Sequence, residues 1–266
     1  MSEFKFSVLG IGAWGLSARS WSDLKALMAG SLIEDDGSKG PKPELIPANE
    51  RRRAPLPVRL AVETSAQACS AAQLDPATVG CVFVSGLGDT ALTDYMCKVL
   101  AGDNKALSPT KFHNSVHNAA AGYWTISTGC TEAANSVAGF NESVSLTLME
   151  ALIQAEAEQR PLLLTFYDAP VSAVLQPLLK NPYPFSVSLV ISPASLAPAD
   201  AKRYSASITE TAASWPEADW PESLQDCYET NPVARILSVL ALLTGQTNSV
   251  TMPLSSATAL TVTPAD

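Results

Sequence analysis

The sequence predicts an α/β fold, a mixed and mostly parallel sheet flanked by helices. Short β-branched and apolar runs alternate with helically periodic segments through the first 190 residues, the pattern that distinguishes α/β architectures from all-α or all-β ones. At 266 residues, 47% hydrophobic and 16% charged, the chain is too apolar for disorder and long enough to bury a sizeable core. One domain spanning residues 1–266 is expected, with long surface segments near 30–57 and 193–232.

In chain order, Phe4 to Leu9 reads as a short strand, after which Gly10, Gly12 and Gly15 let the chain turn. Trp21 to Met28 has apolar residues at helical spacing. Residues 30–57 collect glycine, proline and charge and end in Arg51-Arg52-Arg53, the composition of a surface loop. Pro55 to Leu74 resumes a helical pattern, Val79 to Val84 is a buried strand, and Thr93 to Ala101 is a helix. Phe112 to Gly129 is predicted to be one helix stopped by its glycine. Asn135 to Ala138 is a short strand, Glu142 to Gln159 an amphipathic helix with Val144, Leu148 and Leu152 on its core face, and Leu162 to Phe166 a strand. Phe185 to Ser192 and Tyr204 to Thr209 read as further strands, Val233 to Leu243 as a helix, and Ser249 to Thr263 as one or two closing strands.

Charge and cysteine usage narrow the function. With 17 Lys and Arg against 26 Asp and Glu, the net charge of −9 repels phosphate backbones and argues against nucleic-acid binding. The Met1-Ser2-Glu3 opening lacks a basic stretch leading into an apolar one, and no apolar run reaches the length of a membrane span, so a cytoplasmic protein is expected. The cysteines Cys69, Cys81, Cys97, Cys130 and Cys227 are odd in number and free of C-x-x-C spacing, which points to reduced thiols. Gly10, Gly12 and Gly15 match the dinucleotide fingerprint in letters, but Glu34 to Asp36 supply its acidic partner only in a loop. His113 and His117, four apart on the predicted helix, read as surface or interface residues because no third metal ligand is nearby. Arg51 to Arg53 suit either an acidic carrier protein or a solvated loop. Trp215 and Trp220 suit either a partner surface or a segment folded onto the body.

The segment Ser108-Pro109 through Gly129, with Phe112, Asn118, Ala121, Gly122 and Gly129 in that order, resembles the helix that precedes the nucleophile strand of β-ketoacyl synthases of the thiolase-fold superfamily. Val8 to Ala13 is similar to their first strand. Counting from Gly129 without a gap, the family's nucleophilic cysteine falls at Asn141, with Phe140 one residue away as the alternative. Arg51-Arg52-Arg53, Asn118 to Gly122, Tyr167-Asp168 and Thr261-Val262-Thr263 are similar to chain length factors of the aryl polyene type.

The resemblance implies a thiolase-like half-fold, the N-terminal ketosynthase half, acting without cofactor or metal as the noncatalytic subunit of a heterodimer with a catalytic ketosynthase. Its substrate would be a polyene or fatty acyl chain held by that partner or by an acyl carrier protein. Condensation requires a thiolate to carry the acyl chain and donors to stabilise enolate and oxyanion. Neither Asn141 nor Phe140 can serve as the nucleophile, and His113 and His117 are the chain's only imidazoles. The resemblance further implies pairing through Asn135, Ser136, Val137 and Ala138, and closure of the partner's acyl tunnel by Phe112 and Tyr123. Two other readings remain open from the residues alone: an independent acyltransferase or hydrolase using Cys130 beside His117, and a homodimeric scaffold.

Overall fold

The computed structural model describes residues 3–217 and 219–265. Met1 and Ser2, which bear on the reading of the N-terminus, lie outside the described residues. The first strand, β1 (Glu3–Gly15), is far longer than the sequence suggests. Gly10 and Gly12 sit inside it rather than after it, because helix α3 (Leu56–Ala72) presses onto them. A Cβ at Gly10 would lie 2.2 Å from the Ala68 carbonyl oxygen, and one at Gly12 2.1 Å from that of Thr64. These glycines serve helix-on-strand packing, not a turn, and no phosphate-cradling loop follows them.

Helix α1 (Trp21–Met28) is capped by the Ser20 side chain, which accepts from the Asp23 N–H. Of the predicted loop over 30–57, residues 48–51 form the short α2 (Ala48–Arg51) and the last two already begin α3. Helix α3 ends at Gln73 in the left-handed region, and β2 (Gly80–Val84) and α4 (Thr90–Ala101) follow. The helix expected over Phe112–Gly129 is two: α5 (Pro109–His113) and α6 (Ala119–Thr128). The chain breaks between them, where the buried Asn114 side chain donates to the Arg53 carbonyl (3.2 Å). Gly129, at φ +70°, stops α6 as predicted.

The remaining elements are β3 (Ala134–Val137), α7 (Ser143–Glu158), β4 (Leu162–Asp168), α8 (Gln176–Leu179), β5 (Phe185–Pro193) and β6 (Arg203–Thr209). They are followed by α9 (Glu222–Thr230), α10 (Ile236–Thr244), β7 (Val250–Pro253) and β8 (Ala259–Ala265). All eight strands join one sheet in the order β3-β2-β4-β5-β1-β6-β8-β7.

That sheet is mixed, but not mostly parallel. Only the β3–β2 and β2–β4 pairs are parallel; every other pair is antiparallel. The reason lies in the connections. β7 and β8 are joined by residues 254–258 alone, far fewer than the dozen or so that a parallel crossover needs. The chain therefore returns antiparallel.

Helices cover both faces of the sheet, so its central strands are apolar on both sides. Cys81, Phe83, Leu163 and Val190 pack under α3 and α6, with Trp124 fully buried among them. Val82, Val84, Leu164, Phe166 and Leu189 pack against the opposite layer, which holds α7, α9 and α10. Where α3 crosses the strands, the core is polar by design of its hydroxyls. Thr64 Oγ1 lies 2.8 Å from both Ser186 Oγ and Ser188 Oγ, and Ser65 Oγ lies 2.7 Å from Thr165 Oγ1, all fully buried. Short side chains let the helix approach, and their mutual hydrogen bonds offset the desolvation.

Candidate functional site

The site starts at the free edge of the sheet. Among the described residues β3 pairs only with β2, which leaves its outer edge without a neighbouring strand there, a ready template for another strand. Ala134 and Asn135 are exposed, and Ser136 and Val137 half-buried. Ile126, on α6 packed beside β3, is 83% exposed.

From Val137 the chain passes Ala138 and Gly139, turns sharply through a 3-10 turn over Phe140–Glu142, and enters α7. The Gly139 N–H donates to the Ser143 hydroxyl (3.0 Å), and the Glu142 N–H to the Gly139 carbonyl (3.0 Å). Phe140 at the apex has φ +47°, a left-handed conformation that costs a residue with a side chain about 1–2 kcal/mol. A strand, a strained apex and the N-terminus of a buried helix are the geometry by which an elbow presents a nucleophile. Here the apex side chain is a phenyl ring, 48% exposed. Asn141, one residue on, is exposed and has an ordinary backbone.

The other candidates scatter. Phe112 lies on α5, 60% exposed. Tyr123 lies on α6, half-buried, with its pKa raised chiefly by burial. Because the predicted helix is broken, His113 ends α5 while His117 stands in the link, so the two do not share a helical face; both are exposed. Among the described residues no three His, Cys, Asp or Glu side chains are grouped to hold a metal.

Cys130 does not form a nucleophilic centre. It is buried just after Gly129, and its thiol donates to the Val79 carbonyl (3.5 Å), whereas His117 is at the surface. Its neighbours Cys69 and Cys81 have pKa values pushed up to about 12 by burial, as expected of inert core thiols. The arginines of 51–53 are mostly engaged locally. Arg51 donates to the Lys42 and Pro43 carbonyls (3.1 and 3.2 Å) and Arg53 pairs with Glu50. Trp215 and Trp220 fold back against the larger core.

Two residues have surroundings that the sequence reading did not anticipate. Asp168, fully buried at the end of β4, accepts from Ser85 Oγ (2.5 Å), the Leu87 N–H (3.1 Å) and the Gly86 N–H (3.2 Å). It thereby pins the loop after β2 beside the elbow's supporting strands. Burial outweighs these hydrogen bonds and raises its pKa to about 7. Arg235 is the second, a lone charge in the apolar run Val233–Leu243, which was the available signal.

An α/β/α layering with an elbow feeding the buried α7 defines a thiolase-like ketosynthase half-fold. The chain belongs to the β-ketoacyl synthase family: the model of the β-ketoacyl synthase N-terminal domain matches residues 20–250. No curated protein matches the chain. Among solved structures, it is similar to a chain from the ketosynthase (ApeO) in complex with its chain length factor (ApeC) from Xenorhabdus doucetiae. That match has a TM-score of 0.72 and 18% identity, over 97% of this chain and 99% of that one. It is also similar to a chain of the ishigamide ketosynthase/chain length factor, with TM-score 0.68 and 12% identity over 98% and 99%. A third match is the AntDE:AntF complex of a type II polyketide acyl-carrier protein with its ketosynthase bound to the hexaketide, with TM-score 0.68 and 14% identity over 99% and 100%. No described helix is long and apolar enough to cross a membrane.

Proposed function

We propose that this chain is a noncatalytic chain length factor, a single domain that pairs with a catalytic ketosynthase in the cytoplasm and shapes the acyl tunnel of that partner. The observation that carries the reading is the elbow: the backbone that would present a nucleophile presents Phe140 instead. A phenyl ring cannot be acylated, so any condensation must use the partner's thiolate. The unpaired edge of β3, with exposed Ile126 alongside, supplies the surface for pairing through Asn135 to Ala138. The similar solved structures are titled as ketosynthase complexes, two of them with a chain length factor and one with a carrier protein. The acyl chain is then handled in trans, delivered by an acyl carrier protein, with Phe112 and Tyr123 bounding the tunnel's far end.

The test is co-expression with candidate ketosynthases, light scattering on the purified complex, and condensation assays on separate and combined subunits. A one-to-one complex active only when both chains are present supports the reading. A chain that ignores every ketosynthase and self-associates makes it a homodimeric scaffold, and acyl transfer by the chain alone sinks the proposal.

A further inference from the structure

Beside the elbow lies a shallow, solvent-open hollow of about 570 Å³ whose lining includes Asn141, Glu142, Ser214, Trp215, Arg235 and Ser255. Its parts are held from four directions. The Ser145 hydroxyl of α7 donates to the Pro253 carbonyl and fixes the β7–β8 hairpin. The Tyr228 hydroxyl donates to the Pro216 carbonyl (2.8 Å) and holds the Trp215 segment. Arg235 closes the 3-10 turn over Pro232–Arg235. Its guanidinium lies 5.5 Å from the Trp215 ring and 5.1 Å from the Tyr228 ring.

Stacking occupies the faces of a guanidinium and leaves its in-plane donors to be satisfied. Here they are not. Arg235 makes no ion pair among the described residues. Nη2 makes only a long contact with the Glu229 carbonyl (3.4 Å), and Nε, like Trp215 Nε1, has no partner. Burial disfavours its charge, and the Glu229 and Glu142 carboxylates act on it only from a distance. A half-buried cation with no contacting counter-anion among the described residues, beside a hollow lined in part by hydroxyls and an amide, is suited to pairing with an oxyanion. The wall also limits that ligand's charge. Glu142 repels a second negative charge, while Asn141 and the serines can bond an uncharged polar arm.

We propose that this hollow binds the carboxylate end of a monoanion that carries a neutral, amide- or ester-containing arm, with Arg235 holding the carboxylate and Trp215 packing over it. The site does not depend on the chain length factor reading, because it needs only this chain.

Trp215 is a built-in reporter. Tryptophan fluorescence of the full chain is titrated with N-acetylglycine, its uncharged methyl ester and inorganic phosphate, with calorimetry in parallel. The carboxylate is expected to bind at least 10-fold more tightly than the ester or phosphate, to lose at least 10-fold in Arg235→Gln, and to lose its fluorescence signal, with heat remaining, in Trp215→Phe. Glu142→Gln should narrow the gap between phosphate and carboxylate, and that variant tests the idea even if Arg235→Gln fails to fold. Equal affinity for acid and ester, unchanged affinity in Arg235→Gln, or an unchanged phosphate gap in Glu142→Gln would each overturn the assignment.

Discussion

The buried Asp168 should make the fold lose stability as pH rises toward neutrality. Its folded pKa is about 7 against an ordinary value of 3.8, so between those values the folded state holds a proton that the unfolded chain has released. Stability from this group is complete below about pH 4, falls as pH rises, and levels off above about pH 7. Across the full window the shift corresponds to about 4 kcal/mol, and between pH 5.5 and 8 to about 2 kcal/mol. The groups facing the carboxyl leave this sign unchanged: burial raises the pKa values of Tyr167 and Cys227 too far for either to ionise in that range, and Ser85 only donates. Asp168→Asn removes the titration while keeping the shape. Against the protonated carboxyl it costs about 1–3 kcal/mol, because an amide N–H₂ then faces the Gly86 or Leu87 N–H. The assay is urea unfolding of both proteins at pH 5.5 and pH 8. The gap between them should narrow by about 2 kcal/mol at the higher pH, since other titrations cancel in the difference. A gap that is the same at both pH values refutes the argument and means that the hydrogen bonds, not burial, dominate Asp168.

Three further outcomes are expected. Gly12→Ala drives a Cβ to 2.1 Å from the Thr64 carbonyl and 2.9 Å from the Ala68 N–H, so it should lower stability by about 3 kcal/mol, read as a reduced urea midpoint at constant slope. Ile126→Asp, at a position 83% exposed, should leave the isolated chain within about 0.5 kcal/mol of the original yet weaken ketosynthase binding in co-purification; an undiminished complex places the interface elsewhere. Phe112→Ala in the reconstituted complex should shift products toward longer chains, by about 10-fold in the ratio of adjacent lengths if one clash is removed, and an unchanged product profile on mass spectrometry removes Phe112 from the tunnel wall.

Periodicity and punctuation carried most of the elements. The helix over Trp21–Met28, the strands near Val79, Leu162 and Phe185, and the stop at Gly129 follow from local pattern and glycine chemistry, which need no distant contact. The absence of a cysteine at the family's nucleophile position, on which the proposed noncatalytic role rests, was legible only through the resemblance, which sets where that position falls. The spread of β1 across its glycines was not legible, since it depends on α3 packing more than forty residues later in the chain. Nor was the break at Asn114, whose buried side chain is held by Arg53, or the helix over Glu222–Thr230, whose apolar face is only Leu224, Cys227 and Tyr228.

The sequence by itself determined the α/β class and carried the resemblance to the family, because those follow from which residues exist and how they are spaced. Tertiary structure alone decided the direction of most strands, the left-handed backbone at Phe140 rather than Asn141, the buried state of Asp168 and Cys130, and the meeting of Arg235 with Trp215. Each of those depends on a backbone angle, a desolvated position or a contact between distant segments, and such quantities come into being only when the chain closes on itself.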